Sequence, residues 1–326
     1  MMPPLFLDVQ STDLVMDMCA APGSKTSQML EMLYSHQSRL PTGGVIANDV
    51  EYSRAQMLIH QVQRSWTAGM AVINHNGQFL PQLHTEGKQK LLFDKVLADV
   101  PCSGDGATRK LPNKWSDWHS NDGAVLHPLQ LNILMRGINL LKEDGLLLYS
   151  TCSMNPFEDE AVLVELMRRV KSGIEIVDIH NRGVKGRRGL NHWHVLESKG
   201  KEVSASEMKA EGEELFNVYT EYIEGVTPPK IKKSLFPESL EVMEKFGIAN
   251  SMRILPHDHN SGGFFVALLR KTKNFHWKHE DSLSKTASNH EELEEKALEA
   301  QMEKVDAELP KEQDEGEEEG KPRHQP

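Results

Sequence analysis

The sequence predicts an α/β protein: a mostly parallel sheet with helices on both faces. Short apolar runs alternate with amphipathic stretches of helical length from residue 13 to about residue 180, the pattern of repeated strand–helix units. Val96-Leu97-Ala98 and Leu146-Leu147-Leu148-Tyr149 are apolar at consecutive positions, as strands covered on both faces are. Each run stops abruptly at a polar turn, which marks the strand ends where open α/β sheets bind ligands.

Asp13 to Met18 reads as a short buried strand, and Ser24 to about Tyr34 as the helix after it. Gly44 to Asp49 is the second strand, followed by a helix from Glu51 to about Arg64. Met70 to Asn74, Phe93 to Asp99 and Leu146 to Ser150 are the third, fourth and fifth strands. Leu131, Leu134, Ile138 and Leu141 recur at helical spacing over Gln130 to Leu141, and Glu143-Asp144-Gly145 reads as that helix's C-cap. Glu158 to Val170 is a further amphipathic helix and Gly173 to Ile179 a further strand. Residues 181–250, rich in Gly, Pro and Lys, are expected to be loops with short elements. Strand character resumes at Met252 to Pro256 and Gly262 to Leu269, the latter expected at the sheet's far edge. Residues 1–272 are thus expected to form one catalytic domain.

From residue 273 the chain turns Glu-, Lys- and Ser-rich with few aromatics, and is expected to be a disordered acidic tail holding at most a marginal helix over Glu291 to Leu309. The net charge of −11 is concentrated there, since residues 271–326 hold 9 Lys and Arg against 16 Asp and Glu. The body is near neutral, so any contact with a polyanion depends on local basic patches. With 326 residues, 38% hydrophobic and 26% charged, the chain is long enough for a substantial core. No apolar run approaches the roughly 18 residues a membrane span needs. The start lacks the basic region and apolar stretch of a secretory leader. The three cysteines, Cys19, Cys102 and Cys152, all fall in loops after strands. That placement fits a reducing compartment better than a disulfide framework.

Cys19-Ala20-Ala21-Pro22-Gly23-Ser24-Lys25-Thr26 joins the first strand to the first helix. Small residues let a ligand approach the backbone, and the helix start offers unpaired N–H donors. A phosphate-binding P-loop would need glycine directly before the lysine and again five residues earlier; Ser24 and Cys19 occupy those positions. Only Gly23 of a dinucleotide fingerprint is present, and a plain structural turn stays open. Asp49 can accept from both ribose hydroxyls of an adenosyl group, or can cap the following helix. Asn76 can meet an adenine edge, or act as a turn residue. The small-residue loop with Asp49, Asn76 and Asp99 at successive strand ends describes a cleft for S-adenosyl-L-methionine.

Asp99-Val100-Pro101-Cys102-Ser103 and Ser150-Thr151-Cys152-Ser153 each follow an apolar strand. If those strands are neighbours, about 4.8 Å apart, both thiols line one pocket. One can attack while the other handles a proton. Methylation of cytosine at carbon 5 wants this pair. A thiolate adding to carbon 6 makes carbon 5 nucleophilic, and a proton must leave carbon 5 before the thiolate is expelled. Spacing alone does not choose between the two thiols, and a buried inert thiol is the usual reading of any cysteine.

Three motifs in order, Asp17 to Thr26, Asp99-Val100-Pro101-Cys102-Ser103-Gly104-Asp105-Gly106 and Tyr149 to Glu160, resemble the Nop/Sun family of RNA cytosine-5 methyltransferases. Arg253-Ile254-Leu255-Pro256-His257 with Gly262 to Ala267 is similar to that family's last core motif. The resemblance spans roughly residues 10–270 and points to the eukaryotic branch acting on transfer RNA at several positions. It implies a class I S-adenosylmethionine-dependent, Rossmann-like fold, S-adenosyl-L-methionine as cofactor and RNA as partner, with no metal and no membrane. It implies Cys152 as nucleophile and Cys102 as the thiol assisting later steps and product release. Asp99 would contact the cytosine edge or the cofactor amine, with Lys25 beside both. Nuclear or nucleolar residence is implied by the resemblance only. Asn76 stands where relatives often carry aspartate. The first strand comes almost at once, so a missing N-terminal RNA-binding region is expected, and a truncated, non-catalytic cofactor- or partner-binding form is the alternative.

Arg109-Lys110, with Lys114, Trp115 and Trp118, suits phosphate and base contact; tryptophans facing the core are the competing reading. Arg168-Arg169-Lys171, Lys185-Arg187-Arg188 and Lys230-Lys232-Lys233 are further basic clusters, each read more readily as a solvated face than as a binding patch. His257-Asp258-His259 lacks the third ligand a metal site needs.

Overall fold

Val15 and Met16 are adjacent in sequence and both fully buried, yet they belong to different cores. Side chains alternate across a strand, so a strand apolar at every position needs cover on both faces. In the computed structural model, which describes residues 2–35, 40–63, 69–199 and 216–273, this holds along the centre of the sheet. Strands β1 (Leu14–Asp17), β2 (Gly44–Asp49), β3 (Met70–Asn74), β4 (Phe93–Asp99) and β5 (Leu141–Thr151) are all parallel, in the order β3-β2-β1-β4-β5. Against one face pack α1 (Pro3–Leu7), α2 (Ser24–Tyr34) and α3 (Tyr52–Gln63), through Phe6, Leu30 and Leu58, onto Val15, Leu97 and Leu148. After the short α4 (Lys114–Asp117), α5 (Asp122–Leu140) and α6 (Glu160–Val170) cover the other face. Leu134 and Leu163 there meet Met16, Val96 and Tyr149.

The sheet continues antiparallel beyond β5. β6 (Ile174–Val177) and β7 (Arg187–Arg188) lie on that side, and β8 (Val195–Ser198) and β9 (Phe216–Tyr219) form a separate antiparallel pair. α7 (Leu240–Phe246), β10 (Met252–Ile254), α8 (Pro256–His259) and β11 (Phe264–Lys271) complete the described chain. The sequence reading put this last strand at the edge, and the structure places it inside. β11 pairs with β5 on one side and with β10 and β6 on the other. Its near-continuous burial from Phe265 to Leu269 gives the reason: such a strand needs neighbours and cover on every side.

Two further boundaries differ. α5 begins at Asp122, eight residues before the expected start, because its first turns carry Gly123 and Pro128, both weak helix formers. It ends at Leu140 and the chain passes straight into β5, with no glycine cap. Glu143 to Gly145 lie within that strand, where Asp144 has φ +61° and the pairing with β4 shifts register. The carbonyls a cap would have satisfied are taken by Lys271, which is 1% exposed and donates to Ile138 O at 3.0 Å and Leu141 O at 2.8 Å. α1 was not expected at all. Residues 274–326, with the expected acidic tail and its marginal helix, lie outside the described residues. No described helix is long and apolar enough to cross a membrane.

Candidate active site

Because β3, β2, β1, β4 and β5 run parallel, their last residues share one edge of the sheet. Asn76, Asp49, Asp17, Asp99 and Cys152 sit at or just past those ends. β4 and β5 are neighbours, with Asp99 opposite Ser150. The loops that follow bring Cys102 Sγ to 3.1 Å from Cys152 Sγ, and the Cys152 N–H lies 3.3 Å from Cys102 Sγ. Both thiols are half-buried and free.

Charge around the pair is asymmetric. Lys25, at the start of α2, donates to Asp99 Oδ2 at 2.5 Å, and Asp99 Oδ1 accepts from Ser150 Oγ at 2.7 Å. Burial works to lower the Lys25 ammonium, but Asp99 outweighs it and holds it above the usual lysine range. The hydrogen bond from Cys102 draws the Cys152 thiol below the usual cysteine range against burial, and Lys25 helps. Cys102 moves up, because it gives that hydrogen bond and is buried beside further negative charge. Cys152 is therefore the thiol poised to ionise. Burial and the nearby Asp17, Asp99 and Asp49 push Cys19 far up, so the third cysteine is no nucleophile and belongs to the loop.

The loop after β1 has the features a sulfonium amino acid with an adenosyl group would need. Gly23 has φ +105°, and a Cβ there would meet Leu58 Cδ1 at 2.7 Å, so only glycine fits the turn. It caps α2 with no side-chain bond, leaving the first N–H groups of the helix for a ligand carboxylate. Asp17 is fully buried at the loop's base. Thr26 Oγ1 donates to its Oδ2 at 2.7 Å, while its Oδ1 meets no partner. An orphaned acidic oxygen there suits an ammonium group. Asp49 accepts from the Ala21 N–H at 3.1 Å and the Glu51 N–H at 3.2 Å. It therefore supports the loop; Oδ2 also lies 3.5 Å from Arg54 Nη2, and Oδ1, with one donor, keeps a lone pair for a ribose hydroxyl. Asn76 Oδ1 accepts from the Gln78 N–H at 3.2 Å, which is the turn role of the two that the sequence offers.

Burial raises the Asp17 carboxyl to about 7. A folded value above the unfolded one stabilises the fold fully only below the unfolded value. Stability should therefore fall by up to about 4 kcal/mol as pH rises from about 4 to 7, then level off. Asp17→Asn should flatten that slope in urea unfolding series; an unchanged slope would assign it to another group.

The residues that hold the thiol loops were not singled out from sequence. Glu158, Asp159 and Glu160 are consecutive acids, and all three are 0% exposed. Glu158 accepts from the Ser103 N–H at 2.8 Å, Ser103 Oγ at 2.5 Å, Ser153 Oγ at 2.6 Å and Gln130 Nε2 at 3.0 Å. Asp159 accepts from Thr151 Oγ1 at 2.6 Å, and Glu160 pairs with Arg253. Asp17 opens the first of the three motifs but has no role assigned from sequence, although it ends an apolar strand just as Asp49 and Asp99 do.

The basic clusters are largely committed within the chain. Arg168 pairs with Glu165 and Glu238, Arg187 with Asp258, Arg188 with Asp178 and Lys230 with Glu197. Arg109 donates to Asn260. Trp115, by contrast, is 64% exposed beside the thiol loop, not core-facing. His257 and Asp258 both face Arg187.

A parallel sheet with covering helices, a small-residue loop after β1 and acids at successive strand ends define a class I methyltransferase. Against solved structures, a methyltransferase homolog from Pyrococcus horikoshii matches with TM-score 0.54 at 23% identity, over 82% of this chain and 65% of that one. The model of the 16S rRNA methyltransferase RsmB/F family matches residues 4–194, and the chain belongs to that family, within the Nop/Sun group. A multisite-specific tRNA:(cytosine-C(5))-methyltransferase of Saccharomyces cerevisiae is 40% identical over 281 residues, 84% of this chain and 38% of that protein. A tRNA (cytosine(34)-C(5))-methyltransferase of Drosophila melanogaster is 39% identical over 86% of this chain and 37% of its own length. The chain thus spans about two fifths of the relatives it matches.

Proposed function

We propose that this chain carries S-adenosylmethionine-dependent methylation of RNA cytosine at carbon 5, with transfer RNA as substrate, through a covalent adduct to Cys152. The observation that carries the reading is the meeting of two thiols at 3.1 Å, with Lys25 and Asp99 alongside. The target base enters flipped out of its stack. The Cys152 thiolate bonds to carbon 6, and the displaced ring electrons make carbon 5 the nucleophile. Residues Cys19, Ala20, Ala21, Pro22, Gly23, Ser24 and Lys25, with Asp49, Asn76 and Asp99, would hold S-adenosylmethionine, which supplies an electrophilic methyl group when bound. Once carbon 5 is methylated, its proton passes to a base, the carbon 6–sulfur bond breaks, and aromaticity and the Cys152 thiolate return. Cys102 is the nearest thiol to take that proton. Nuclear or nucleolar residence belongs to the same reading.

RNA containing 5-azacytosine tests it, because nitrogen at ring position 5 carries no proton to remove and the adduct persists. A denaturation-resistant protein–RNA band should form and should vanish in Cys152→Ala, with at least a 10³-fold loss of methyl transfer. Turnover on transfer RNA by this chain would also exclude the competing reading, a non-catalytic cofactor- or partner-binding form. No adduct and no turnover would support that form.

A further inference from the structure

We propose that Glu158 is a positioning residue that assigns the roles of the two thiols. By gripping the residue after each cysteine and lying mainly on the Cys102 side, it keeps Cys102 the hydrogen-bond donor and Cys152 the nucleophile. The inference rests on the reading of the pair as catalytic, and it names what orients that pair.

The geometry is one buried carboxylate between two loops. Ser103 follows Cys102, and both its N–H and its hydroxyl bind Glu158. Ser153 follows Cys152, and its hydroxyl binds the same oxygen that Ser103 Oγ uses. Gln130 of α5 bridges Glu158 Oε1 and Pro101 O, the latter at 2.9 Å. Three of these four contacts thus brace the Cys102 loop. α5 can come this close because position 123 is glycine; a Cβ there would collide with Asn155 and reach Glu158 Cγ at 3.4 Å. The backbone of Glu158 is held too, by Tyr149 Oη donating to its carbonyl at 2.5 Å. A carboxylate satisfied by that many donors stays in place.

The charges facing the pair agree with this division. Cys102 faces Cys152 and Glu158, and both discourage its ionisation after the hydrogen bond and burial have acted. Cys152 faces Cys102, Asp99, Lys25 and Asp105; the first and third favour its thiolate. Glu158 therefore acts on one thiol directly and on the other through it.

Glu158→Gln keeps the shape and removes the charge. The test is the pH dependence of iodoacetamide alkylation of each thiol in the full chain without RNA, read peptide by peptide by mass spectrometry, with Cys19 as the slow internal reference. In Glu158→Gln the Cys102 midpoint should fall by about one pH unit, about a tenfold faster reaction below the midpoint, and the Cys152 midpoint should rise as Cys102 competes with it for the pair's negative charge. A brace without an electrostatic role would not move these profiles. A folded Glu158→Gln chain with both midpoints unchanged overturns the proposal. If that variant does not fold, Ser103→Ala and Ser153→Ala decide: smaller shifts in the same directions support it, and unshifted profiles in both overturn it. Neither outcome uses methyl transfer, so loss of activity in the wild-type chain would count against the proposed reaction alone.

Discussion

Cys102→Ala should trap the enzyme on its substrate. The variant is expected to form the covalent RNA adduct on ordinary cytosine-containing transfer RNA and to release it slowly, with turnover reduced by about 10²–10⁴-fold, the usual contribution of a positioned acid or base. The reason lies in the coupling of the two sulfurs. In the resting pair Cys102 sits above the usual thiol range through its hydrogen bond with Cys152, its burial and the charge that a Cys152 thiolate would place beside it. When Cys152 bonds to carbon 6 no thiolate faces Cys102, which can then release its own proton to solvent and, as a thiolate, take the proton from carbon 5. Without it the adduct waits for solvent to do the same. Gel-resolved adduct after denaturation, with single-turnover release rates, separates the steps. Loss of the adduct in Cys102→Ala and its persistence in Cys152→Ala would reverse the assignment.

The parallel half of the sheet was legible because its code is local. β1, β2, β3 and β4 are short apolar runs that end at polar residues, and the observed bounds fall within a residue of those read from sequence. Thiol adjacency followed from the same code, since two strands that each end in a cysteine motif had only to be neighbours. The antiparallel half was harder. Nothing local distinguishes β11 at an edge from β11 between β5 and β10, although its unbroken apolar run was the available hint. The end of α5 misled for a related reason: its cap is Lys271, about 130 residues away. Glu158 to Glu160 read as acids opening a helix, where charge is normally solvated and favours the helix dipole. Their burial depends on Ser103, Ser153 and Arg253, which approach only in the folded chain.

The second large effect is on stability. Arg253 of β10 is 5% exposed; it donates to Glu160 through Nε at 2.6 Å and through Nη2, lies 3.2 Å from Asp159, and gives Nη1 to Met154 O at 2.8 Å. Arg253→Met preserves much of the apolar stem but leaves Glu160 buried without its counter-charge, and should cost about 3–5 kcal/mol in urea unfolding. The damage comes mainly from the stranded carboxylate. Arg253→Met combined with Glu160→Gln should therefore lose clearly less than the two single changes added together. Burial already holds Asp159 well above the usual carboxylate range. Raising the pH should therefore deepen the deficit of Arg253→Met, as Asp159 is forced to ionise with no cation beside it. A strictly additive double variant, or a single variant as stable as the wild-type chain, would show that this ion pair does not hold the Thr151 to Met154 turn beneath the nucleophile.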